Sequence, residues 1–367
     1  MDSIHFLAIK CDEIMPMSQL LPIAITPGDP AGIGPEIVAK AFRDAPELLA
    51  GCFVLGDVGV MQRAAELIGG LPVQQIPNAQ DALTVPSVHL PVLRLTDAEM
   101  LRKSERFAQI SYGLINDLAG KFSAQCVREA AQMALRGEVA AVVTAPIHKE
   151  AWSAAGVKFP GHTELLQYEA AAFAGVPAEQ LPVRMMLAND ELRTVLVSIH
   201  VSLREALERV TLGNVLQTLR ITHAALSKSL GRVPRIAVAG LNPHAGEGGL
   251  FGREEIEQIH PAIAAALREG INAQGSFPPD TVFMQARGFK TFDAVIAMHH
   301  DQGLIPVKYL GVEHGVNVTL GLHNGLGQPL IRTSPDHGTA FDIAGKGVAN
   351  ASSLIEAVRQ ARALIGD

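Results

Sequence analysis

The sequence predicts an α/β protein built on a doubly wound, mostly parallel sheet. Three observations carry that expectation. Short Val/Ile/Leu-rich runs alternate with helix-like segments and Gly/Pro turns along the chain, the signature of repeated βαβ units. Three of these runs end on histidine: LRTVLVSIH at His200, RIAVAGLNPH at His244, and FDAVIAMHH at His299 and His300. Each is a near-continuous apolar run, as expected of a parallel strand buried on both faces. Finally, 367 residues exceed one ordinary core, so two domains or one large α/β unit are expected.

The elements follow in order. The body opens with a strand over 21–26 (LPIAIT), the loop PGDPAGIG and a helix from Pro35, whose missing N–H has no partner in a first helical turn. A second strand at 53–57 (FVLGD) leads into a helix over 58–68, and extended segments follow near 72–75 and 88–94. Residues 104–136 are helical in pattern, as two helices, with Gly137 closing the second. The strand at 139–143 (VAAVV) runs into TAPIHK, and an amphipathic helix at 352–365 ends the chain. No repeat, low-complexity tract or Pro-rich linker marks a boundary. The turns near 144–150 and 299–305 are the expected crossings between lobes. Residues 1–20, with Asp2, Lys10, Asp12 and Glu13 around a short apolar patch, make a poor signal peptide and are expected to be an N-terminal extension.

Composition excludes several function classes. A formal net charge of -7 without a Lys/Arg cluster argues against a nucleic-acid-binding stripe. The three cysteines, Cys11, Cys52 and Cys126, are widely spaced and form no CxxC, which predicts a reducing cytoplasm. No apolar stretch approaches the roughly eighteen residues of a membrane span.

Ligands of open α/β sheets bind beyond the carboxyl ends of the strands. Three imidazoles delivered to such a rim suggest a metal site with open positions, although no HxxxH or HxH spacing enforces one. Asp301, beside His300, is placed to orient a ligating ring. Gly28 to Gly34 forms a strand-to-helix loop that either holds an anion or is simply a tight turn. In Gly161-His162-Thr163-Glu164, His162 or Thr163 is expected to cap a helix or to contact substrate. The loop Asn242 to Gly249 is too glycine-rich for a helix or strand and suits binding. The polar stretch Ser334 to Asn350, punctuated by Phe341, Ile343 and Val348, is expected to be an ordered loop.

Taken together, ITPGDPAGIGPEI, TAPIHK, FPGHTELL, LNPHAGEGG, MHHDQGLIPVKY, GVNVTLGL and IRTSPDHGTAFDIAGKG resemble the 4-hydroxythreonine-4-phosphate dehydrogenase family of vitamin B6 synthesis, from about residue 21. The last block is also similar to the adenine-side cofactor loop of isocitrate and isopropylmalate dehydrogenases. The resemblance implies two α/β/α domains with a cleft between them: residues 21–144 plus 301–367 on the cofactor side, and 145–300 for metal, substrate and dimerisation. It implies a homodimer with the active site at the subunit interface. One divalent ion per subunit (zinc, magnesium, manganese or cobalt) would be held by His200, His244 and His300, the last from the partner subunit. Substrate contacts carry over to His162, Thr163, Lys308, Asn317 and Arg332. NAD or NADP would meet His337, Gly338, Thr339, Asp342 and Asn350. For the general base, Asp301, Lys149 and Asp280 are candidates by charge and motif position.

The implied reaction is oxidative decarboxylation of 4-phosphohydroxy-L-threonine, a small anionic substrate. One departure from the family pattern stands between Asn317 and Arg332: the extra residues His323-Asn324-Gly325-Leu326-Gly327-Gln328. They either lengthen a surface hairpin or reshape the pocket. The second option keeps D-threonate or D-erythronate 4-phosphate and a terephthalate cis-dihydrodiol dicarboxylate open as substrates. A metal-dependent hydrolase or lyase on the same histidines is the alternative from a different class.

Overall fold

Each Val/Ile/Leu-rich run singled out above becomes a strand of one sheet. The computed structural model describes residues 20–311 and 314–366, so the expected N-terminal extension lies, apart from Leu20, outside the described residues. In chain order the elements are β1 (Ile23–Thr26), α1 (Gly34–Asp44), β2 (Cys52–Gly56), α2 (Val58–Leu67), β3 (Val73–Ile76), β4 (Leu90–Arg94), α3 (Ala98–Phe107), α4 (Asp117–Leu135) and β5 (Ala141–Thr144). Then come α5 (Lys149–Ala154), α6 (His162–Ala174), β6 (Arg184–Ala188), β7 (Arg193–Leu196), α7 (Leu203–Glu208), α8 (Leu212–Leu230), β8 (Ile236–Ala239), α9 (His260–Arg268) and β9 (Ala273–Phe277). The chain finishes with α10 (Val282–Ala286), β10 (Ala294–Ala297), α11 (His300–Tyr309), β11 (Val316–Leu320), β12 (Arg332–Pro335) and α12 (Ser352–Ile365).

The sheet has twelve strands in the order β3-β4-β2-β1-β5-β12-β11-β6-β7-β10-β8-β9. The first six run parallel, and so do the last four, but β12/β11, β11/β6 and β6/β7 pair antiparallel. Three reversals make the two parallel blocks run in opposite directions. The sheet is therefore mostly parallel, as expected, and β7 is parallel on one side only. The late strands β11 and β12 sit at its centre, joining the blocks. Helices α5 and α6, which the 144/145 boundary puts in the second unit, pack on α4, while α11 packs on β6, β7 and β10.

The two helices expected over 104–136 are present as α3 and α4, the first beginning earlier than expected, at Ala98. Gly113 takes a left-handed turn (φ +72°) under the Phe341 carbonyl, where a side chain would collide, and Asn116 restarts the helix by accepting from the Ala119 amide. The capping expected of His162 or Thr163 is absent: Gly161 is the N-cap of α6 and no side chain caps it. Both imidazole and hydroxyl are thereby left for other work. Cys52 and Cys126 are buried free thiols, and burial pushes Cys52 up to about 12, so neither is a reactive nucleophile. No helix among the described residues is long and apolar enough to cross a membrane.

Candidate active site

Two of the strand-end histidines meet. β7 and β10 are parallel neighbours with Leu196 level with Ala297. Beyond them the Val197 amide donates to the Ala297 carbonyl at 2.9 Å and Ser198 Oγ to the Met298 carbonyl at 3.0 Å. The two chains leave the sheet in step, and the His200 and His300 rings end with centroids 5.6 Å apart. Two imidazoles on one zinc-like ion, with bonds of about 2.1 Å at a tetrahedral angle, would have centroids roughly 5 Å apart. The pair fits a shared ion.

Protonation suits that role. Partial burial, then the charges of His300 and Lys149, hold His200 below the usual imidazole range, favouring the neutral ring that a metal needs. His300 Nδ1 lies 2.7 Å from Asp301 Oδ1, so the second nitrogen is the one left to bind. That hydrogen bond also holds the Asp301 carboxyl below its ordinary range. His299 works differently, capping α11 by accepting from the Gln302 amide at 3.4 Å. A cavity of about 240 Å³ opens in front of the pair, between Ser198, Val201, Leu203 and His299.

His244 does not join them. Among the described residues no three His, Cys, Asp or Glu side chains stand close enough to hold one ion. Within one chain two of the strand-end imidazoles therefore meet and the third stands apart, and the backbone gives the reason. Residues 244–248 all have positive φ, from 44° to 80°, and the turn leaves the His244 ring 63% exposed with Nδ1 3.2 Å from Glu247. The resemblance made His300 the partner's contribution, whereas here His300 stands beside His200 and His244 is the outlying ring. Glu255, buried, fixes the base of this turn by accepting from the amides of Leu241 and Asn242, both at 2.8 Å.

Several of the residues expected to contact substrate gather around β12. Alternation puts Thr333 on the back of the sheet, where its hydroxyl donates to Ala357 of α12, and puts Arg332 and Ser334 on the front. Register with β11 adds Asn317 and Thr319 to the front, and β5 adds Thr144. On that face α4, with α5 and α6 packed on it, stands to one side and α11 to the other. The Arg332 guanidinium is buried, and its partners among the described residues are hydroxyls only: it donates to Thr144 Oγ1 at 2.7 and 3.1 Å and to Thr319 Oγ1 at 3.3 Å. Burial lowers it to about 10, only partly offset by the Glu164 carboxylate, which makes no ion pair with it. His162 stands within its field and is held well below the usual imidazole range by burial and by that charge. Its Nε2 is shielded from water without a partner. A buried cation beside a neutral imidazole is an arrangement that an anion would complete.

Other expected residues fall as follows. Lys308 closes α11 with an ion pair to Asp336 at 2.7 Å, spanning the front of the sheet. Thr163 lies in the first turn of α6, half-buried. Lys149 opens α5, exposed, and is felt at His200. Asp280 is exposed between β9 and α10, with no hydrogen bond to the histidines.

The stretch after β12 is an ordered loop. Thr339 is buried, and its carbonyl accepts from the Ile33 amide at 3.0 Å. Phe341 stacks on His148 at 4.5 Å. His337, Gly338 and Asp342 face outward, while Asn350 Oδ1 accepts from Ser352 at the start of α12. The loop from Gly28 is packed rather than open: a Cβ at Gly28 (φ +72°) would strike the Pro146 carbonyl. Asp29 is wholly buried there; loss of water pushes its carboxyl up to about 6. The tight-turn reading of this loop therefore prevails over an exposed anion cradle.

A model of the family described as pyridoxal phosphate biosynthetic protein PdxA matches residues 49–361. The chain belongs to the PdxA family. A PdxA-family relative from Beijerinckia indica, a 4-hydroxythreonine-4-phosphate dehydrogenase, is 48% identical over 91% of this chain and 92% of its own. A D-threonate 4-phosphate dehydrogenase from Cupriavidus necator is 40% identical over 94% and 97%. Among solved structures, the 4-hydroxythreonine-4-phosphate dehydrogenase of Klebsiella pneumoniae aligns with a TM-score of 0.80 at 38% identity, covering 95% of this chain and 99% of that one.

Several residues of this PdxA-family site were not singled out by sequence. Thr144 and Thr319 look like ordinary strand residues until register places both under Arg332. Glu164 sits in the first turn of α6, and nothing in its position announces that its charge is felt at Arg332. Gln302 links Met298 N (2.7 Å) to the Gly240 carbonyl (2.8 Å), tying the β10 and β8 ends together. Nothing in spacing announces such bridges.

Proposed function

We propose that this chain is a nicotinamide- and divalent-metal-dependent dehydrogenase that oxidises and decarboxylates a phosphorylated hydroxy acid. The favoured substrate is 4-phosphohydroxy-L-threonine, with 3-amino-2-oxopropyl phosphate as product. The observation that carries the reading is Arg332, a buried guanidinium with hydroxyl partners only, beside the neutral His162. A hydrolase or lyase on the same histidines would leave the ordered 336–350 loop without a purpose.

Arg332 and His162 bind and orient the remote anion, Arg332 through its planar fork. Lys308 exchanges its partner Asp336 for the substrate, and Asn317 presents its amide from the same face. His200 and His300 would hold the divalent ion, with His244 supplied by a second copy of the chain. When bound, that ion supplies Lewis acidity where negative charge develops on the substrate. Asp301 keeps the His300 ring in its binding tautomer. Lys149 is the base candidate whose charge is felt at His200; it would take the hydroxyl proton at Nζ only from its neutral amine form, after giving up its own proton to solvent. Residues 337–350 would hold NAD or NADP, which would supply the hydride acceptor when bound.

A homodimer is part of this reading. Leu203 and Leu207 of α7, Leu250 and Phe251 beyond the His244 turn, and Ile305 and Tyr309 of α11 are exposed apolar side chains around the histidines. Two lobes of the isocitrate and isopropylmalate dehydrogenase kind, meeting at β11 and β12, would form the cleft.

The hairpin 323–328 bears on substrate choice. Gly325 packs on Ala174, the last residue of α6, whereas His162 is its first. Twelve steps of helix place the insertion about 18 Å from the substrate end, which favours retention of the family's substrate. D-threonate 4-phosphate, on which the Cupriavidus relative acts by name, is the second reading. Initial rates of nicotinamide reduction with both phosphates and the terephthalate dihydrodiol test it. The highest kcat/KM should fall on 4-phosphohydroxy-L-threonine; turnover confined to another compound would overturn the substrate assignment.

A further inference from the structure

The 336–350 loop contains no helix or strand, yet it must present a fixed surface to a dinucleotide. Its anchor near the C-terminal end is an ion pair in the first helix of the chain. Lys40, on α1, is only 9% exposed, and its ammonium group makes three short contacts: Glu36 Oε1 at 2.9 Å, the Gly347 carbonyl at 2.9 Å and the Ala349 carbonyl at 2.6 Å. Glu36, 3% exposed, returns the connection, with Oε1 accepting from the Ala349 amide at 2.8 Å. A buried ammonium is tolerated when all three of its N–H groups are satisfied, and here two of the three go to the loop backbone. The bonds join segments 307 and 309 residues apart in sequence, so they are not a by-product of local folding.

We propose that Lys40 and Glu36 are positioning residues for the nicotinamide dinucleotide, clamping the C-terminal half of its loop before it binds. The inference rests on reading residues 336–350 as the cofactor loop. The clamp uses backbone atoms only, which leaves the side chains of Lys346, Val348 and Asn350 facing outward. It also gives the GPEIVAK segment a purpose that an exposed phosphate cradle does not. Without the clamp the loop would have to be ordered at the moment of binding, and that entropy would appear as lost affinity rather than slower hydride transfer.

The test is the double variant Lys40→Met/Glu36→Gln, which removes both charges together so that neither is left buried alone. Hydrogen exchange of the unliganded protein reports the loop, calorimetry with NAD and NADP reports affinity, and initial rates separate KM from kcat. The expected result is faster exchange across 336–350 and a dinucleotide Kd raised about tenfold or more. The substrate KM and kcat at saturating dinucleotide should stay near wild type, which general destabilisation would not achieve. Unchanged exchange would overturn the clamp whatever the affinity does. Faster exchange with unchanged Kd would instead overturn the reading of the loop as the cofactor site. Glu36→Gln alone keeps an acceptor for Lys40 and Ala349, so it should restore most of the affinity. If the double variant does not accumulate, Lys40→Met alone should show the faster exchange and the raised Kd, while Glu36→Gln stays near wild type in both.

Discussion

Replacing Arg332 by Met should move stability and function in opposite directions. In the wild type, burial lowers the guanidinium from 12.5 to about 10. A base whose folded pKa is lowered is one whose charged form the fold disfavours. That penalty is present in full at every pH below the folded value, neutrality included. The drop corresponds to about 3 kcal/mol against folding. Methionine removes the charge and keeps much of the volume, but it orphans the hydroxyls of Thr144 and Thr319, at about 1 kcal/mol each. The net expectation is a gain of about 1 kcal/mol, or a melting temperature raised by roughly 1–2 °C. Meanwhile the anion loses a charge-assisted bidentate partner, so kcat/KM should fall about a hundredfold or more. Differential scanning calorimetry with and without inorganic phosphate reads both effects. Phosphate should stabilise the wild type and scarcely affect the variant. A variant that melts lower without phosphate, or gains as much from phosphate as the wild type, would refute the reasoning.

The remaining predictions concern other parts of the molecule. Asp29 carries a folded pKa of about 6, raised by burial from 3.8, so it disfavours the folded state increasingly between those two values as pH rises. Asp29→Asn should therefore stabilise the protein by about 2–3 kcal/mol above pH 6 and by little near pH 4, as chemical denaturation across pH would report. Deleting residues 323–328 should leave substrate KM within about twofold of wild type, since the hairpin packs at the far end of α6; a changed substrate preference in steady-state kinetics would place it at the pocket. His200→Ala and His244→Ala should each abolish turnover, and reassociated mixtures of the two should recover about a quarter of it, because one hybrid site regains both rings of the pair and a partner His244. Mixtures of His200→Ala with His300→Ala should recover none. Recovery in that second mixture, or none in the first, would show that the rings are divided differently.

Strand positions were legible because a parallel strand buried on both faces must be apolar throughout; IAIT, AVVT, IAVA and AVIA are wholly buried. Sheet order was not legible. Only long-range pairing shows that β11 and β12, late in sequence, lie between β5 and β6. The site was legible in the same uneven way. Arg332, His162 and the pair His200 and His300 were marked by motif and are brought onto one face or one rim. The separation of His244 from that pair within one chain was not marked, because it depends on five consecutive positive-φ residues, three of them not glycine. Its anchor Glu255 lies in the next helical segment. The roles of Thr144, Thr319 and Lys40 arise from register and from contacts across the whole chain, which periodicity does not encode.

The most direct measurement counts reduced nicotinamide and released carbon dioxide together. It would use 4-phosphohydroxy-L-threonine with enzyme stripped of metal and then resupplied with zinc, magnesium, manganese or cobalt. One carbon dioxide for each nicotinamide reduced, only after metal is restored and lost again in His200→Ala, is the predicted result. Nicotinamide reduction without carbon dioxide, or full turnover by the stripped enzyme, would contradict the account.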